Sequence, residues 1–235
     1  MKLAITGASL RNEDERGLLE NGFEVLKIPP CDAILGSVGT HADTVLFLLR
    51  DRLFLPRDYY NENSAIVSRI LKKGGFVPVL TSSLPRSPYP FEIPLCALNV
   101  GDEAVIANEK YLAPEIAEYC KENGIPIYNT RQGYAKCTAA YANGIISADS
   151  SILRAAELAS IPNIKISQGS VMLDGYDYGF IGGASGFDGE NLFFCGDLSL
   201  HPDSERILSF CKELSVNCVS LSSLPLHDVG SIFFI

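Results

Sequence analysis

Three residues in two distant parts of the chain have the types that nucleophilic catalysis needs. The segment GTHADTVLFLLRDRLFLP, residues 39–56, places His41 and Asp43 at the head of an apolar run, although the chain has only three histidines. Cys137 follows a lysine in the segment GYAKC. A cysteine attacks as its thiolate, and an imidazole with a pKa near neutrality can donate and accept protons in one reaction. These side chains could cooperate only if the fold brings them together.

The composition predicts a soluble globular protein. The 235 residues are 47% hydrophobic, which is enough to bury a sizeable core. No stretch approaches the ~18 uninterrupted apolar residues of a membrane-spanning helix, and the opening MKLAITGAS lacks the basic flank and cleavage site of a signal peptide. We therefore expect a soluble protein with no membrane partner.

Cysteine content and charge restrict the compartment and the partners. The seven cysteines are an odd number and form no C-x-x-C pair, which favours a reducing, cytoplasmic environment. The net charge of −9 and the lack of Lys/Arg clusters argue against nucleic-acid binding, which needs a basic surface. A small cationic substrate would be compatible with this charge.

A pattern of helix and strand recurs along the whole chain. In five segments apolar residues recur at i, i+3 and i+4, as on one face of a helix, and a short run rich in Val and Ile follows each of them. The five are NEDERGLLENG with FEVLKI, SAIVSRILKKGG with FVPVL, APEIAEYCKENG with IPIYN, SILRAAELAS with IPNIKIS, and SERILSFCKELS with VNCVSL. Each pair predicts a helix followed by a strand.

Two further strands precede four of these helices. The runs TVLFLL and LFLP, ALNV and AVIA, TAAYA and IISA, and SGF and LFFC are each joined by a short turn. The dipeptides Asn143-Gly144 and Asp188-Gly189 are strong hairpin signals, because the preferred two-residue turns need positive φ angles. The repeat is therefore ββαβ, at roughly 40–50 residues.

The two ends of the chain complete a fifth unit. The chain opens on MKLAITG, a strand with no hairpin partner before its helix, and ends on GSIFFI, a strand with no helix after it. Pairing of these strands would close a ring and leave no sheet edge between the first and last units. We therefore predict a five-bladed α/β propeller, closed by pairing of the N- and C-terminal strands, as one domain over residues 1–235.

The competing fold is a doubly wound nucleotide-binding sheet. ITGAS near the start and the glycine-rich segment 182–186 are compatible with phosphate binding by backbone N–H groups. However, no G-x-G-x-x-G follows the first strand, and the hairpins inside each unit indicate antiparallel pairing. A strand crowded near the channel of a propeller explains the glycines equally well.

In a ring of this kind the first strand of each unit lines the central channel, so residues at the starts of these strands converge. They are His41 and Asp43, Cys96 and Asn99, Lys136 and Cys137, the segment 182–186, and His227 and Asp228. Catalytic chemistry is therefore expected among these residues.

The order of these motifs resembles the arginine deiminase-like, guanidino-group-modifying (pentein) superfamily. THADTVLFL corresponds to a His-x-Asp strand, the unit beginning CALNVGDEAVIA intervenes, and GYAKCTAA matches a Gly-x-x-basic-Cys strand. The resemblance implies that Cys137 is the nucleophile, His41 the catalytic histidine and Asp43 its acidic partner. The basic position before the cysteine is Lys136. Relative to the deiminases, the chain is circularly permuted or divergent.

The same resemblance implies further site residues. Asp228 in LHDVGSIFFI takes the place of an acidic residue, more usually Glu, on the blade before the histidine. Asp177 in GYDYGFIGGASG is the candidate for binding the guanidinium of the substrate. Arg131 is the candidate for a substrate carboxylate, although it lies one residue further from Cys137 than the corresponding arginine of the superfamily. Asn99, on the intervening blade, is a further substrate-binding candidate.

The expected chemistry is conversion of a guanidine or amidine carbon through a covalent amidino-thioether on Cys137. A nearby imidazolium or a cationic substrate would lower the pKa of the thiol. His41 would protonate the departing amine and later deprotonate the attacking water. Asp43 or Asp228 would orient the imidazole, while a second carboxylate would pair with the guanidinium. The expected partner is a small guanidino or amidino substrate, and no cofactor is required.

Other functions are compatible with the same residues. The chain has three His and Asp pairs that could bind a metal in a metallohydrolase, although no closely spaced His pair supports this. They are His41 with Asp43, His201 with Asp203, and His227 with Asp228. Alternatively, the protein binds a metabolite or a protein without catalysis, since some members of the superfamily lack a catalytic site. Hydrolysis and amidino transfer both fit the nucleophile.

Overall fold

The computed structural model describes residues 2–235 and contains five small sheets of three strands each. The strands are β1 Leu3–Thr6, β2 Glu24–Lys27, β3 Phe47–Leu49, β4 Arg52–Pro56, β5 Val77–Thr81, β6 Leu98–Val100, β7 Ala104–Ala107, β8 Ile127–Asn129, β9 Ala139–Tyr141, β10 Ile145–Ser147, β11 Asn163–Lys165, β12 Ser185–Phe187, β13 Asn191–Phe194, β14 Asn217–Ser220 and β15 Ile232–Phe234. Each run that the sequence predicts as a strand overlaps one of them.

Seven α-helices lie between these strands. They are α1 Asn12–Glu20, α2 Arg57–Glu62, α3 Ser64–Gly74, α4 Pro114–Glu122, α5 Ala135–Thr138, α6 Ser150–Leu158 and α7 Ser204–Glu213. In α6 the Asp149 side chain accepts hydrogen bonds from the N–H groups of Ser151 and Ile152, and so caps the start of the helix. Its face with Ile152, Leu153 and Ala156 is buried. Among residues 2–235, no helix has the length and apolar character needed to cross a membrane.

The same order of pairing recurs in the sheets. The first strand pairs antiparallel with the second, and the second pairs parallel with the third across a helix, as in β3, β4 and β5. Asn143 adopts a φ angle of 57° in the turn between β9 and β10. Asn tolerates this left-handed conformation better than most residues, which explains why the turn forms there. The predicted ββαβ unit is thus observed in four consecutive stretches.

The fifth sheet joins the two ends of the chain, in the order β15, β1, β2. Ala4 lies opposite Phe234 in antiparallel register. Beyond the strands, Leu3 N–H donates to Ile235 O at 2.7 Å and Ile235 N–H donates to Leu3 O at 2.9 Å. The predicted pairing of the first and last strands is confirmed.

Five hydrophobic clusters lie between the sheets, and each is shared by two of them. Ile5 of β1 packs in one cluster with Leu53 of β4, for example, and Ala4 of β1 shares another with Phe193 of β13. Burying such a side chain stabilises the fold by roughly 1.5–3 kcal/mol. All seven cysteines are free, and six of them are buried. The observed architecture is therefore mixed α/β with small sheets, as predicted.

The catalytic candidates lie in the segments that lead into the first strands of the sheets. His41 lies between two short 3-10 turns ahead of β3, Asp43 belongs to the second of these turns, and Cys137 belongs to α5, ahead of β9. The prediction that these residues lie at the starts of the strands is therefore wrong, because His41 lies six residues before β3 and Cys137 two residues before β9. In α5 the backbone coils because Thr138 N–H donates to Tyr134 O at 2.9 Å, in place of a bond to a neighbouring strand.

Candidate active site

Cys137 contacts a buried carboxylate that comes from a distant part of the chain. Its thiol donates a hydrogen bond to Asp43 Oδ2 at 2.8 Å, and the Ser231 hydroxyl lies 2.8 Å from the same oxygen. Asp43 is fully buried, and Cys137 is 2% exposed. The backbone fixes both partners, since Gly183 N–H donates to Cys137 O at 2.7 Å and Asp43 N–H donates to Gly230 O at 3.2 Å.

His41 faces a second buried carboxylate. Its Nδ1 lies 3.7 Å from Asp228 Oδ1. The backbone also fixes Asp228: Phe180 N–H donates to its Oδ2 at 2.9 Å and Gly230 N–H donates to its Oδ1 at 3.0 Å. Of the two aspartates that could orient the imidazole, Asp228 is thus the one beside it, whereas Asp43 contacts the thiol.

The glycine-rich segment makes room for these groups. A Cβ atom at Gly183 would lie 1.9 Å from Asp228 Oδ1, and a Cβ atom at Gly182 would lie 2.3 Å from Lys136 O. Distances this short leave no space for a side chain at either position. Close approach of neighbouring atoms therefore accounts for these glycines.

Two polar atoms of the site are buried without a hydrogen-bond partner among residues 2–235. They are His41 Nε2 and Asp43 Oδ1. Leaving such an atom unsatisfied costs roughly 1–3 kcal/mol, so these atoms are rare unless a ligand or water binds them. The free oxygen of Asp43 can accept an N–H group of a ligand, and the free nitrogen of His41 can exchange a proton with one.

The local electrostatics favour a neutral thiol. Burial raises the pKa of Cys137 well above its ordinary value, and the carboxylates of Asp43 and Asp228 raise it further. Burial also raises the pKa of Asp228, an effect that His41 opposes and Asp43 reinforces. The site therefore has an excess of buried acidic groups, whose charged forms a bound cation would stabilise.

Four of the predicted site residues line one cavity of about 270 Å³: Cys137, His41, Asp228 and Asp177. Asp43 adjoins this cavity through its hydrogen bond to the thiol. The rest of the wall is mainly aromatic and consists of Tyr134, Tyr176, Tyr178 and Phe180 with Val38 and Leu173. The fold thus brings together the proposed nucleophile, the imidazole and the carboxylates beside a space large enough for a small molecule.

The other predicted substrate-binding residues lie elsewhere. Lys136 and Asn99 line a different cavity, of about 340 Å³, to which Cys137 does not contribute. Adjacent residues on a helical turn point in different directions, so Lys136 diverges from its neighbour Cys137. The Asn99 amide donates to Asp102 Oδ1 at 2.6 Å and is therefore already paired. Arg131 is exposed and lines neither cavity.

The remaining histidines are not part of the cluster. The His201 Nδ1 accepts a backbone hydrogen bond at 3.0 Å, and burial lowers the pKa of its imidazole. His227 does not line the cavity. Within residues 2–235, the group that could hold a metal ion comprises His41, Cys137 and Asp228, whose ligand atoms lie within 4.8 Å of one another. Two of the three His and Asp pairs therefore contribute one residue each to this candidate metal site, His41 and Asp228, and the pair of His201 and Asp203 contributes none.

Sequence reasoning missed a buried acid beside the cavity. Glu92 is 7% exposed, and its carboxylate accepts hydrogen bonds from the hydroxyls of Tyr134 and Ser87. Tyr134 lines the cavity and belongs to the GYAKC motif, so its position three residues before Cys137 could have identified it as a site residue. Glu92 lies in a loop without any hydrophobic period, and no pattern marked it.

Three solved structures of enzymes share this architecture. An adduct of dimethylarginine dimethylaminohydrolase aligns with a TM-score of 0.56 at 13% identity, covering 94% of this chain and 92% of that one. The C. jejuni agmatine deiminase aligns with a TM-score of 0.55 at 9% identity, covering 94% and 87%. SxtG, an amidinotransferase of Microseira wollei in the saxitoxin biosynthetic pathway, aligns with a TM-score of 0.55 at 10% identity, covering 97% and 93%.

These similarities show that the chain has the same fold as these dimethylarginine dimethylaminohydrolase, agmatine deiminase and amidinotransferase structures. No curated protein matches the sequence. The chain belongs to the family of unknown function DUF6873, whose model matches residues 5–233.

Proposed function

We propose that the five sheets close into a five-bladed α/β propeller, one domain over residues 1–235. The sharing of hydrophobic clusters supports closure. One cluster joins β1 to β4, and the others join β4 to β7, β7 to β10, β10 to β13, and β13 back to β1. In such a ring the segments ahead of β3, β9 and β15, which hold the catalytic candidates, converge at one mouth of the channel.

On this scaffold, the proposed function is a cysteine-dependent enzyme that modifies a guanidine or amidine carbon. The observation that carries this proposal is the meeting of Cys137, His41 and Asp228 in one cavity, with ligand-type atoms within 4.8 Å of one another. The aligned enzymes support the reaction class, since their names specify dimethylarginine, agmatine and amidino transfer.

Asp43 is the proposed partner of the substrate guanidinium. Its free Oδ1 can accept a guanidinium N–H, and a charge-assisted hydrogen bond of this kind is strong. A cation in this position would lower the pKa of the Cys137 thiol, which burial and the carboxylates raise when the site is free. The substrate thus promotes formation of the thiolate that attacks it.

The first half-reaction transfers the guanidine carbon to the enzyme. The thiol proton passes to His41, and Cys137 Sγ forms a bond to the guanidine carbon. The bond from this carbon to the leaving nitrogen then breaks, and His41 gives its proton to that nitrogen. Asp228, 3.7 Å from His41 Nδ1, stabilises the transient imidazolium. An amidino-thioether is left on Cys137.

The second half-reaction releases the product. Water gives a proton to His41 and attacks the same carbon, the C–S bond breaks, and the proton returns to the sulfur. The product of hydrolysis is a ureido compound, whereas an amine in place of water would receive the amidino group. Asp177 lines the cavity with an exposed side chain and is retained as a substrate-binding residue. Lys136, Asn99 and Arg131 have no part in this mechanism.

Site-resolved alkylation of the native protein tests the proposal. A chloroacetamidine and neutral iodoacetamide are compared, and the modified cysteines are mapped by mass spectrometry. We expect the cationic amidine to modify Cys137 selectively, because the surrounding carboxylates attract it, and we expect His41→Asn to slow this reaction. Cys218 is half-buried and lies outside the cavity, so it is the internal control and should show no preference for the amidine.

The same labelling separates catalysis from simple binding. If Cys137 shows no more preference for the amidine than Cys218 does, the protein is better described as a non-catalytic binding protein. If a guanidino substrate is found and Cys137→Ala still turns it over, the covalent mechanism is wrong. Product analysis then distinguishes a ureido compound from a transferred amidino group.

A metal-dependent hydrolase is the second candidate, favoured by the cluster of His41, Cys137 and Asp228. Nitrogen and sulfur ligands of zinc lie ~2.0–2.3 Å from the ion, so neighbouring ligand atoms are about 4 Å apart or less. The three groups would have to approach one another slightly to bind. Elemental analysis of protein purified without chelator decides this: stoichiometric metal that is absent from Cys137→Ala would favour the metalloenzyme.

A further inference from the structure

We infer that the substrate of this site is a guanidine with an apolar body and no carboxylate group. The inference rests on the proposed guanidine chemistry and concerns the opposite end of the substrate molecule. The inference depends on the charges of the lining residues, which include acidic side chains but no lysine or arginine.

The described residues that line the cavity include no lysine and no arginine. A carboxylate that leaves water is strongly disfavoured unless a cation or several hydrogen-bond donors replace the water. His41 is the one lining residue that can become cationic, and it faces Asp228. A substrate carboxylate would therefore find no free cationic partner among the residues that line this cavity.

Three basic residues do not line this cavity: Lys136, Arg11 and Arg131. Burial lowers the pKa of Lys136, and the nearby groups of Asp43, Cys137 and Asp228 oppose this effect. Lys136 lines the other cavity, with its Nζ 5.8 Å from the centre of the Phe233 ring. Arg11 forms an ion pair with Asp14 at 2.7 Å. Arg131 is exposed and lines neither cavity. A carboxylate-binding arginine of the kind expected from the sequence is thus not at the site.

The charged groups that do line the cavity are acidic. Asp228 is buried on its wall and Asp177 is exposed on it, and Asp43 lies directly behind the thiol. Two acids near the thiol favour the guanidinium, but Asp177 would also repel a substrate carboxylate. Like charges placed together across a binding site reduce affinity strongly. The charge of the site therefore selects against acidic guanidines.

Aromatic rings provide the surface for the rest of the substrate. Tyr176 is 51% exposed although it lines the cavity. Tyr178 and Phe180 lie with ring centres 6.1 Å apart and planes at 81°, an edge-to-face pair that forms part of the wall. Aromatic side chains of this kind bind apolar groups through a large contact area. An alkyl or aryl body on the guanidine would cover these rings.

A matched pair of ligands tests the inference. Butylguanidine and 4-guanidinobutanoate share the guanidine and the chain length, and differ in the terminal carboxylate. Their binding to full-length Cys137→Ala is measured by calorimetry, so that turnover does not interfere. We expect 4-guanidinobutanoate to bind at least roughly ten times more weakly, a difference of about 1.4 kcal/mol.

Charge reversal at the cavity wall provides a second test of the inference. Asp177→Arg, made in the same Cys137→Ala background, should improve binding of 4-guanidinobutanoate relative to butylguanidine by roughly tenfold, because it installs a cation beside the carboxylate. Glu118 is exposed on α4 and outside the cavity, so Glu118→Arg changes the net charge equally and should leave the ratio unchanged. An equal change in both variants would mean that the general charge of the protein, and not the cavity, sets the preference.

The outcomes separate this inference from the proposed function. Equal binding of the two ligands, or tighter binding of the acid, overturns the inference and leaves guanidine chemistry intact. Failure of both ligands to protect Cys137 of the native protein from alkylation, together with no binding by calorimetry, overturns both. The inference is supported if butylguanidine binds more tightly and if the ratio of the two affinities changes in Asp177→Arg but not in Glu118→Arg.

Discussion

The thiol of Cys137 is hydrogen-bonded to Asp43 Oδ2 at 2.8 Å, and it is not bonded to the imidazole of His41. This contact favours the neutral thiol, because a carboxylate that accepts the S–H proton stabilises the thiol over the thiolate. Activation of the nucleophile then depends on what binds to Asp43. Several measurable consequences follow from this one contact.

Replacing Asp43 by Asn should make the free enzyme more reactive toward a neutral reagent. The change removes a carboxylate that raises the pKa of Cys137. Below the pKa, each unit by which it falls increases the thiolate fraction roughly tenfold. Iodoacetamide should therefore alkylate Cys137 several-fold faster at pH 8, as measured by mass spectrometry.

The exposed Asp177→Asn is the matched control for this variant and should leave the rate unchanged. Slower alkylation in Asp43→Asn, with an intact circular dichroism spectrum, would show that Asp43 instead activates the thiol as a base. Turnover of a guanidino substrate should fall in the same variant, because the substrate loses its cation partner.

Replacing Asp228 by Asn should reduce both activity and stability. Two backbone N–H groups, those of Phe180 and Gly230, donate to the two oxygens of Asp228, and an amide offers only one oxygen. Leaving one donor unpaired in this buried position should lower the free energy of unfolding by roughly 1–3 kcal/mol. Loss of the charge beside His41 should lower turnover by roughly 10²-fold or more.

Urea unfolding and turnover are measured on the same preparation of Asp228→Asn. A loss of stability alone leaves the turnover of the folded protein unchanged, whereas loss of the charge beside His41 lowers turnover even where urea unfolding shows that the protein is fully folded. Full activity in this variant would mean that Asp228 does not act on the imidazole.

Gly183→Ala should disable the site by steric displacement of Asp228. The new Cβ would lie 1.9 Å from Asp228 Oδ1, so the carboxylate must move away from His41. Overpacking of this kind typically costs about 1–3 kcal/mol of stability. Selective labelling of Cys137 by the amidine should be lost, while Gly74→Ala, whose new Cβ would lie 2.1 Å from Phe76 Cε2 and outside the cavity, controls for overpacking elsewhere in the fold and should retain it.

Stability should decline at alkaline pH. Burial raises the pKa of Cys31, Cys96, Cys120, Cys137 and Cys195, that of Cys120 to about 11. In the unfolded chain thiols ionise near pH ~8.5. The stabilisation from these neutral thiols is therefore fully present below about pH 8.5 and is lost as the pH rises toward the folded-state values.

Urea unfolding at pH 7.5 and pH 9.5 measures this decline. The free energy of unfolding should be lower at pH 9.5, and the decrease should be smaller in Cys195→Ala, which removes one such thiol. Equal stability at the two pH values would show that the buried thiols do not control the response.

Much of the fold could be predicted because each element carries a local signal. Five helices show apolar spacing over nine or more residues, and turns such as the one at Asn143 need residues that tolerate positive φ. The pairing of β1 with β15 was predictable because the N-terminal run lacked a hairpin partner and the C-terminal run belonged to no other unit. The helices α2 and α5, of six and four residues, are too short to show a period.

The site was less predictable because sequence gives position along the chain but not the direction of a side chain. Ring order was enough to bring His41, Cys137 and Asp228 together. It did not show that Lys136, adjacent to the nucleophile, points into another cavity, nor that Arg131 stays outside. Three of the four aromatic residues in the wall, Tyr176, Tyr178 and Phe180, come from the loop before β12, where no hydrophobic period marked them.

The pairing of β15 with β1 also sets an order of events during synthesis. Strand β1 is synthesised before β15, so its sheet cannot be completed until residues 232–234 have left the ribosome. Until then β1 presents an unpaired edge that another chain could occupy. Asp228 and Ser231, which contact His41 and Asp43, precede β15 directly. A nascent chain that ends before these residues therefore lacks two of the buried groups of the site, Asp228 and Ser231.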